Sequence, residues 1–333
     1  MKAVIPVAGA GTKLRPHTHT QPKALVPVAG KPLLAHIVDF LMQGGVTEFV
    51  FVIGHMGNKI QQFIEAHYQH APIATHFVTQ DPREGSGHAV LMARPHVADD
   101  ESMLIMFGDT ILNCNLRAFV ESDSSAVGIR KVDKPGNFGI AELRKDGYVS
   151  RLIEKPRIPK SNYGLVGLYK VKTAGRLFRA IDHLVSTKTK NNGEYHLTDA
   201  LMLLLNEGEK IDAIEVEGWY DCGKKDTLLE ANALLLNRPE FQNSRNQRFP
   251  DTIIIHPVRI GEHCDIKRCI IGPNVVIGDH SHIENAVLSN SIIGSYSHLH
   301  SIILNRSIMG NDTYLKGVSQ SLNIGDNTEI NLS

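Results

Sequence analysis

Five copies of one short pattern occupy the last quarter of the chain, and they constrain it more than any other feature. They read IGEHCDI (260–266), IGDHSHI (277–283), IGSYSHL (293–299), MGNDTYL (309–315) and IGDNTEI (324–330). Each has an apolar residue, a glycine, a small residue at the fifth place and an apolar residue at the seventh. The copies start 17, 16, 16 and 15 residues apart. A near-constant period with one inward aliphatic per short strand predicts a parallel β-solenoid. No single coil can bury its own apolar face, so the coils stack. The glycines are expected at the corners, with positive φ.

Upstream the texture differs. Residues 3–7 form a short apolar run ending at Gly9-Ala10-Gly11, a buried strand feeding a glycine turn. Residues 32–43 have helical spacing, with Pro32 at the first turn and Gly44-Gly45 as the stop. Strands are expected at 48–53, 76–79 and 103–107, and helices at 58–68 and 87–94. This alternation predicts βαβ units, a mainly parallel sheet flanked by helices, and functional loops at the carboxyl ends of the strands. Shorter strands follow at 126–132, 140–143, 149–153 and 166–171, then helices at 197–206 and 224–236. Residues 237–251, polar and poor in apolar side chains, read as a linker.

Composition narrows the function. The chain has 333 residues, enough for two domains at about 150 residues each. Lys+Arg and Asp+Glu are both 35, so there is no net charge. That argues against a nucleic-acid binder or an acidic-membrane binder. No apolar run approaches the ~20 residues of a membrane span. Cys114, Cys222, Cys264 and Cys269 show neither CxxC nor zinc spacing, and a reducing cytoplasm is the expected location.

The loop Gly9-Ala10-Gly11-Thr12-Lys13-Leu14-Arg15-Pro16 is the first chemical motif. Glycines after a first strand let backbone N–H groups approach a phosphate chain, and Lys13, Arg15 and Lys23 add positive charge nearby. The loop is neither a Rossmann GxGxxG nor a Walker A motif. By itself it reads better as a glycine turn with exposed lysines.

The longer stretch AGAGTKLRPHTHTQPKALVPVAGKPLLAHIVDFL resembles the signature of the sugar-1-phosphate nucleotidyltransferases, in which GxGTRL-P-T is followed by K, P and GKP. Further segments match in order. Gln80 with Glu84-Gly85-Ser86-Gly87-His88-Ala89 is similar to the family's base-reading segment. Phe107-Gly108-Asp109, Phe138-Gly139-Ile140, Glu154-Lys155-Pro156 and Trp219-Tyr220-Asp221-Cys222-Gly223 are similar to its GD, FG, EKP and W-x-D-x-G. The repeat resembles the hexapeptide repeat of left-handed β-helices. The resemblance implies a Rossmann-like catalytic domain over 1–236, a linker over 237–251 and a β-helix domain over 252–333.

It also implies transfer of NMP from a nucleoside triphosphate to a sugar 1-phosphate, with Mg²⁺ held by Asp109 and Asp221. The nucleophile is already an anion, so the chemistry needs positioning and charge neutralisation more than a base. Lys13, Lys23 and Asp109 are the catalytic candidates. Ala8, Gly9, Gly11, Thr12, Gln80 and Gly85 would hold the nucleotide, Gln80 offering an amide donor and acceptor to a pyrimidine edge. Gly139, Glu154 and Lys155 would hold the sugar phosphate. The family normally carries Arg where this chain has Lys13; Lys13 is the direct equivalent and the expected phosphate clamp, with Arg15 two residues on or a loss of activity as the alternatives.

dTTP or UTP with glucose 1-phosphate is the favoured pair, with GTP and mannose 1-phosphate as the alternative. A hexapeptide-repeat acyltransferase and a non-catalytic nucleotide-sugar sensor are the rival classes. No nucleic-acid or membrane partner is expected; a homo-oligomer is. In the repeat, His263 with His280 and His282 with His298 fall one coil apart. They are expected to stack as ladders at exposed turns in preference to binding a metal.

Overall fold

The computed structural model describes residues 1–241 and 249–317. Residues 242–248 of the expected linker and the fifth repeat copy, 324–330, lie outside the described residues. The chain divides into two compact units, the first spanning Met1–Ala231 and the second beginning at Asn232.

In the first unit the elements run β1 (Lys2–Pro6), β2 (Pro27–Val28), β3 (Lys31–Pro32), α1 (Leu33–Gln43), β4 (Glu48–Ile53), α2 (Gly57–His67), β5 (Ala74–Thr79), α3 (Ser86–Met92), β6 (Met103–Met106), β7 (Thr110–Asn113) and α4 (Leu116–Val120). Then come β8 (Ser125–Lys131), β9 (Ile140–Leu143), β10 (Val149–Ile153), β11 (Tyr163–Val171), α5 (Ala174–Ser186), α6 (Leu197–Asn206), β12 (Ile211–Glu215), β13 (Gly218–Asp221) and α7 (Lys225–Leu236). Helix α1 follows its apolar spacing: Leu33, Leu34, Ile37, Val38 and Leu41 are buried, and the Gly44 N–H closes the last turn on Phe40 and Leu41.

The main sheet has the order β10-β9-β11-β6-β1-β4-β5, with β8 beside β11 and β12 beside β8. Strands β6, β1, β4 and β5 are parallel, as the strand–helix alternation predicts. Beyond β6 the sheet is mixed, because β11 runs antiparallel to β6, β8 and β9. Strands β1, β4 and β6 are nearly continuous buried apolar runs, whereas β5 at the sheet edge is only partly buried. Helix α5 is absent from the sequence expectations, yet it is strongly amphipathic, burying Leu177, Phe178, Ile181 and Leu184. Strands β7 and β13 form a separate two-stranded antiparallel ladder, with Asp221 opposite Thr110.

The second unit is a parallel β-solenoid of three four-stranded sheets. Their inward columns include Ile271 and Leu288, Ile260, Ile277 and Ile293, and Ile266, Ile283 and Leu299, all buried. Each fully buried aliphatic contributes about 1.5–3 kcal/mol. The histidines stack as expected: His263 on His280 at 5.0 Å, His280 on Tyr296 at 4.9 Å, and His282 beside His298 at 6.0 Å between ring centroids.

The repeat glycines need correction. Positive φ falls not on Gly261, Gly278 or Gly294 but on the fourth residue of each described copy: His263 (φ 55°), His280 (φ 57°), Tyr296 (φ 57°) and Asp312 (φ 53°). The left-handed corners are anchored from below, with His280 N–H donating to Glu262 O (2.8 Å) and Tyr296 N–H to Asp279 O (2.9 Å). The glycines serve coil stacking instead. A Cβ on Gly294 would stand 2.5 Å from the Gly310 carbonyl carbon, and one on Gly261 would stand 2.6 Å from Asp279 N.

Candidate active site

Because β1, β5 and β6 are parallel, the residues just after them share one edge of the sheet. These are the loop Ala8–Thr12, Gln80, and Gly108-Asp109. Such an edge is where ligands bind in open α/β sheets.

In the first loop, Gly9 and Thr12 are exposed and Ala8 is buried. A Cβ on Gly9 would meet nothing within 4 Å, so its backbone faces open space. Gly11 is different. It has φ 62°, and a Cβ there would lie 2.9 Å from both Lys23 Cβ and Thr18 Cγ2. Thr18 Oγ1 donates to Gly11 O at 2.8 Å, which ties the loop to the segment carrying Lys23. Lys13 and Arg15 are exposed on the same loop.

The charges converge on the β7–β13 ladder. Lys23 Nζ stands 2.6 Å from Asp109 Oδ2. Cys222 N–H donates to Asp109 O at 2.9 Å, so the ladder holds the Asp109 and Asp221 backbones side by side. Asp221 Oδ1 accepts from Gly223 N–H at 2.9 Å. Burial pushes the Asp221 carboxyl above its ordinary range and the Asp109 charge adds to this, while Lys23, the Gly223 N–H and Lys13 pull the other way. Two carboxylates forced together in a partly buried place are hard oxygen donors for a divalent cation. Among the described residues no group of three or more His, Cys, Asp or Glu converges. An ion held here would complete its shell from water and phosphate oxygens, which is how Mg²⁺ is commonly bound.

Gln80 is 5 % exposed, and its Nε2 donates to Gly85 O at 2.9 Å. Its amide donor is thus engaged inside the protein. Gly85 has φ 113°, and a Cβ there would lie 2.6 Å from Tyr195 O. Glu154, Lys155 and Gly139 form the third cluster. Glu154 Oε2 accepts from Thr198 Oγ1 at 2.8 Å, and Glu154 Oε1 stands 3.4 Å from Lys155 Nζ. A Cβ on Gly139 would come within 3.0 Å of Glu154 Oε2. The Glu154 side chain is 12 % exposed and that of Lys155 is 54 % exposed, so the lysine is free to reach outward.

Two connectors carry no motif in the sequence. Tyr169, buried on β11, has its phenol pushed up by burial and then by the charges of Glu154 and Asp109. The segment Tyr195–Thr198 braces the other two. Tyr195 N–H donates to Glu84 O (2.7 Å), Gly87 N–H to Tyr195 O (2.8 Å) and Leu197 N–H to Ser86 Oγ (3.0 Å), while Thr198 holds Glu154. Its only sequence signal is a polar run before the apolar helix α6.

These features define an α/β protein with a glycine loop, two neighbouring carboxylates and a lysine paired with one of them at the carboxyl edge of its parallel strands. A family model described as Nucleotidyl transferase matches residues 2–238, and the chain belongs to that family. It is 39% identical over 243 residues to the low-salt glycan biosynthesis nucleotidyltransferase Agl11 of Haloferax volcanii, with 71% of this chain and 66% of that protein covered. The chain therefore spans just under two thirds of that relative's length. It is 36% identical over 243 residues to the UTP–glucose-1-phosphate uridylyltransferase AglF of the same organism, covering 71% of this chain and 96% of AglF. A crystal structure of UDP-glucose pyrophosphorylase complexed with UDP-glucose shares the fold over 71% of this chain and 99% of that one, with TM-score 0.62 and 24% identity.

Proposed function

We propose that the protein transfers a nucleoside monophosphate from a nucleoside triphosphate to a sugar 1-phosphate, releasing pyrophosphate. UTP or dTTP and glucose 1-phosphate are the favoured substrates. The observation that carries this reading is the meeting of Lys23, Asp109 and Asp221 beside the glycine loop. The uridylyltransferase name of AglF supports the choice of substrates.

An oxygen of the sugar phosphate attacks the α-phosphorus in line, and the bond from that phosphorus to the oxygen bridging to the β-phosphate breaks. The pair of electrons leaves on pyrophosphate, and no proton need move. The backbone of Ala8, Gly9, Gly11 and Thr12 would cradle the triphosphate, with Lys13 and Lys23 opposing its charge. Gln80 and Gly85 would meet the base. Glu154 would accept hydrogen bonds from sugar hydroxyls, Lys155 would hold the sugar phosphate, and the Gly139 backbone would lie against the sugar. A divalent cation, Mg²⁺ in this reading, held by Asp109 and Asp221 would neutralise phosphate charge. The chain is also expected to self-associate; the exposed, in-register Ile253, Ile270, Val287 and Ile303 on one solenoid face support this.

The test is pyrophosphate release from purified protein with Mg²⁺, across several triphosphates and sugar 1-phosphates, beside an acetyl-CoA turnover assay. Release with UTP or dTTP and glucose 1-phosphate is expected. Acetyl-CoA turnover with no pyrophosphate from any pair would overturn the reading.

A further inference from the structure

Gln80 and His88 are both buried, at 5 % and 9 % exposure. Their contacts fix where the protons sit. The Gly85 carbonyl can only accept, so the Gln80 atom 2.9 Å from it must be the amide nitrogen. That carbonyl is itself held, accepting from Ala89 N–H at 3.0 Å in the first turn of α3. The same Gln80 nitrogen lies 3.3 Å from His88 Nδ1. An amide nitrogen has two protons and no lone pair to offer, so His88 Nδ1 must be the acceptor. His88 is then a neutral imidazole with its proton on Nε2.

Both donors of the Gln80 amide are therefore engaged by protein groups, and only Oε1 is left for a ligand. Turning the amide over would set its oxygen against the Gly85 carbonyl oxygen, which can only accept.

We infer that His88 is a positioning residue that locks the Gln80 amide as an acceptor, so that the site selects a base whose ring nitrogen donates a proton. Uracil and thymine meet this through N3–H, and guanine through N1–H. Cytosine N3 and adenine N1 present lone pairs and would oppose Oε1. The inference rests on the proposal that Gln80 meets the base. The loss of a matched hydrogen bond in a water-excluded site is a strong basis for discrimination.

The test compares kcat/KM for UTP and CTP in the unmodified protein, His88→Asn and His88→Leu. The Asn oxygen replaces Nδ1 as an acceptor, while Leu fills space without one. The unmodified protein should prefer UTP, and His88→Asn should keep that ratio within about twofold. His88→Leu should lower it by about three- to tenfold, the worth of one neutral hydrogen bond. An unchanged ratio in His88→Leu overturns the role of His88. Equal use of UTP and CTP by the unmodified protein overturns instead the assignment of Gln80 to the base. Nitrogen-15 NMR of the unmodified protein is independent of activity and of how His88→Leu folds: a proton on Nε2 is expected, and a proton on Nδ1 overturns the inference.

Discussion

Lys23 Nζ lies 2.6 Å from Asp109 Oδ2, joining two residues 86 positions apart in the chain. The ammonium enters from the segment after the glycine loop, and the carboxylate from the turn after β6. With Asp221 held beside Asp109 by the β7–β13 ladder, Lys23 acts on both carboxylates. Lys23 thus partly neutralises the protein's own carboxylates.

Asp109→Asn and Asp221→Asn should each give a folded protein with transfer reduced on the order of 100- to 1000-fold, the scale of losing one electrostatic stabiliser in an enclosed site. Initial rates across a Mg²⁺ titration check this. Near-normal turnover at limiting Mg²⁺ in either variant removes that residue from the metal site.

Lys13 is among the charges acting on Asp221, which places it in the same electrostatic field. Lys13→Ala should cost about 2–4 kcal/mol in kcat/KM. Lys13→Arg should keep or raise the rate, because a guanidinium can hold two phosphate oxygens at once. A silent Lys13→Ala with a crippled Arg15→Ala would assign the phosphate clamp to Arg15.

Asp199, in the first turn of α6, has its carboxyl pushed up by burial, with His196 opposing and Glu154 adding to the rise. A carboxyl raised in the fold favours the native state in its protonated form. That contribution is fully present below the unfolded pKa of about 3.9 and is lost as pH rises through the folded value. Asp199→Asn should therefore raise Tm at neutral pH, and the gain should vanish as pH falls through the ordinary carboxylate range. Thermal melts at a series of pH values test the sign.

The solenoid corner and its glycine should respond oppositely to substitution. Gly294→Ala drives a methyl group to 2.5 Å from a backbone carbon of the next coil. It should destabilise the second unit by about 1–3 kcal/mol, the usual cost of overpacking. His280→Asn, at φ 57°, replaces the imidazole with a side chain that accepts a left-handed backbone and should be close to neutral. Denaturant unfolding followed by circular dichroism separates the two.

Much of this protein is determined by local pattern. A continuous apolar run places β4, and helical spacing places α1 and α6, almost to the residue, because burying an apolar run or stripe is a local requirement. The repeat dictates coil stacking because its aliphatics recur once per turn. The order of motifs along the chain marks Lys23, Asp109, Asp221, Glu154 and Lys155 as a set. Other features depend on contacts between distant segments and have no local signature. The antiparallel course of β11 and the β7–β13 ladder, which brings Asp109 and Asp221 together, are of this kind. So is the bracing of Gly85 and Glu154 by Tyr195–Thr198, and the proton placement that engages the Gln80 donor. The repeat glycines show the difference most clearly. Their recurrence is written in the sequence, but the neighbouring coil, reached only after folding, determines that they are needed for close approach and that His280 and Tyr296 turn the chain.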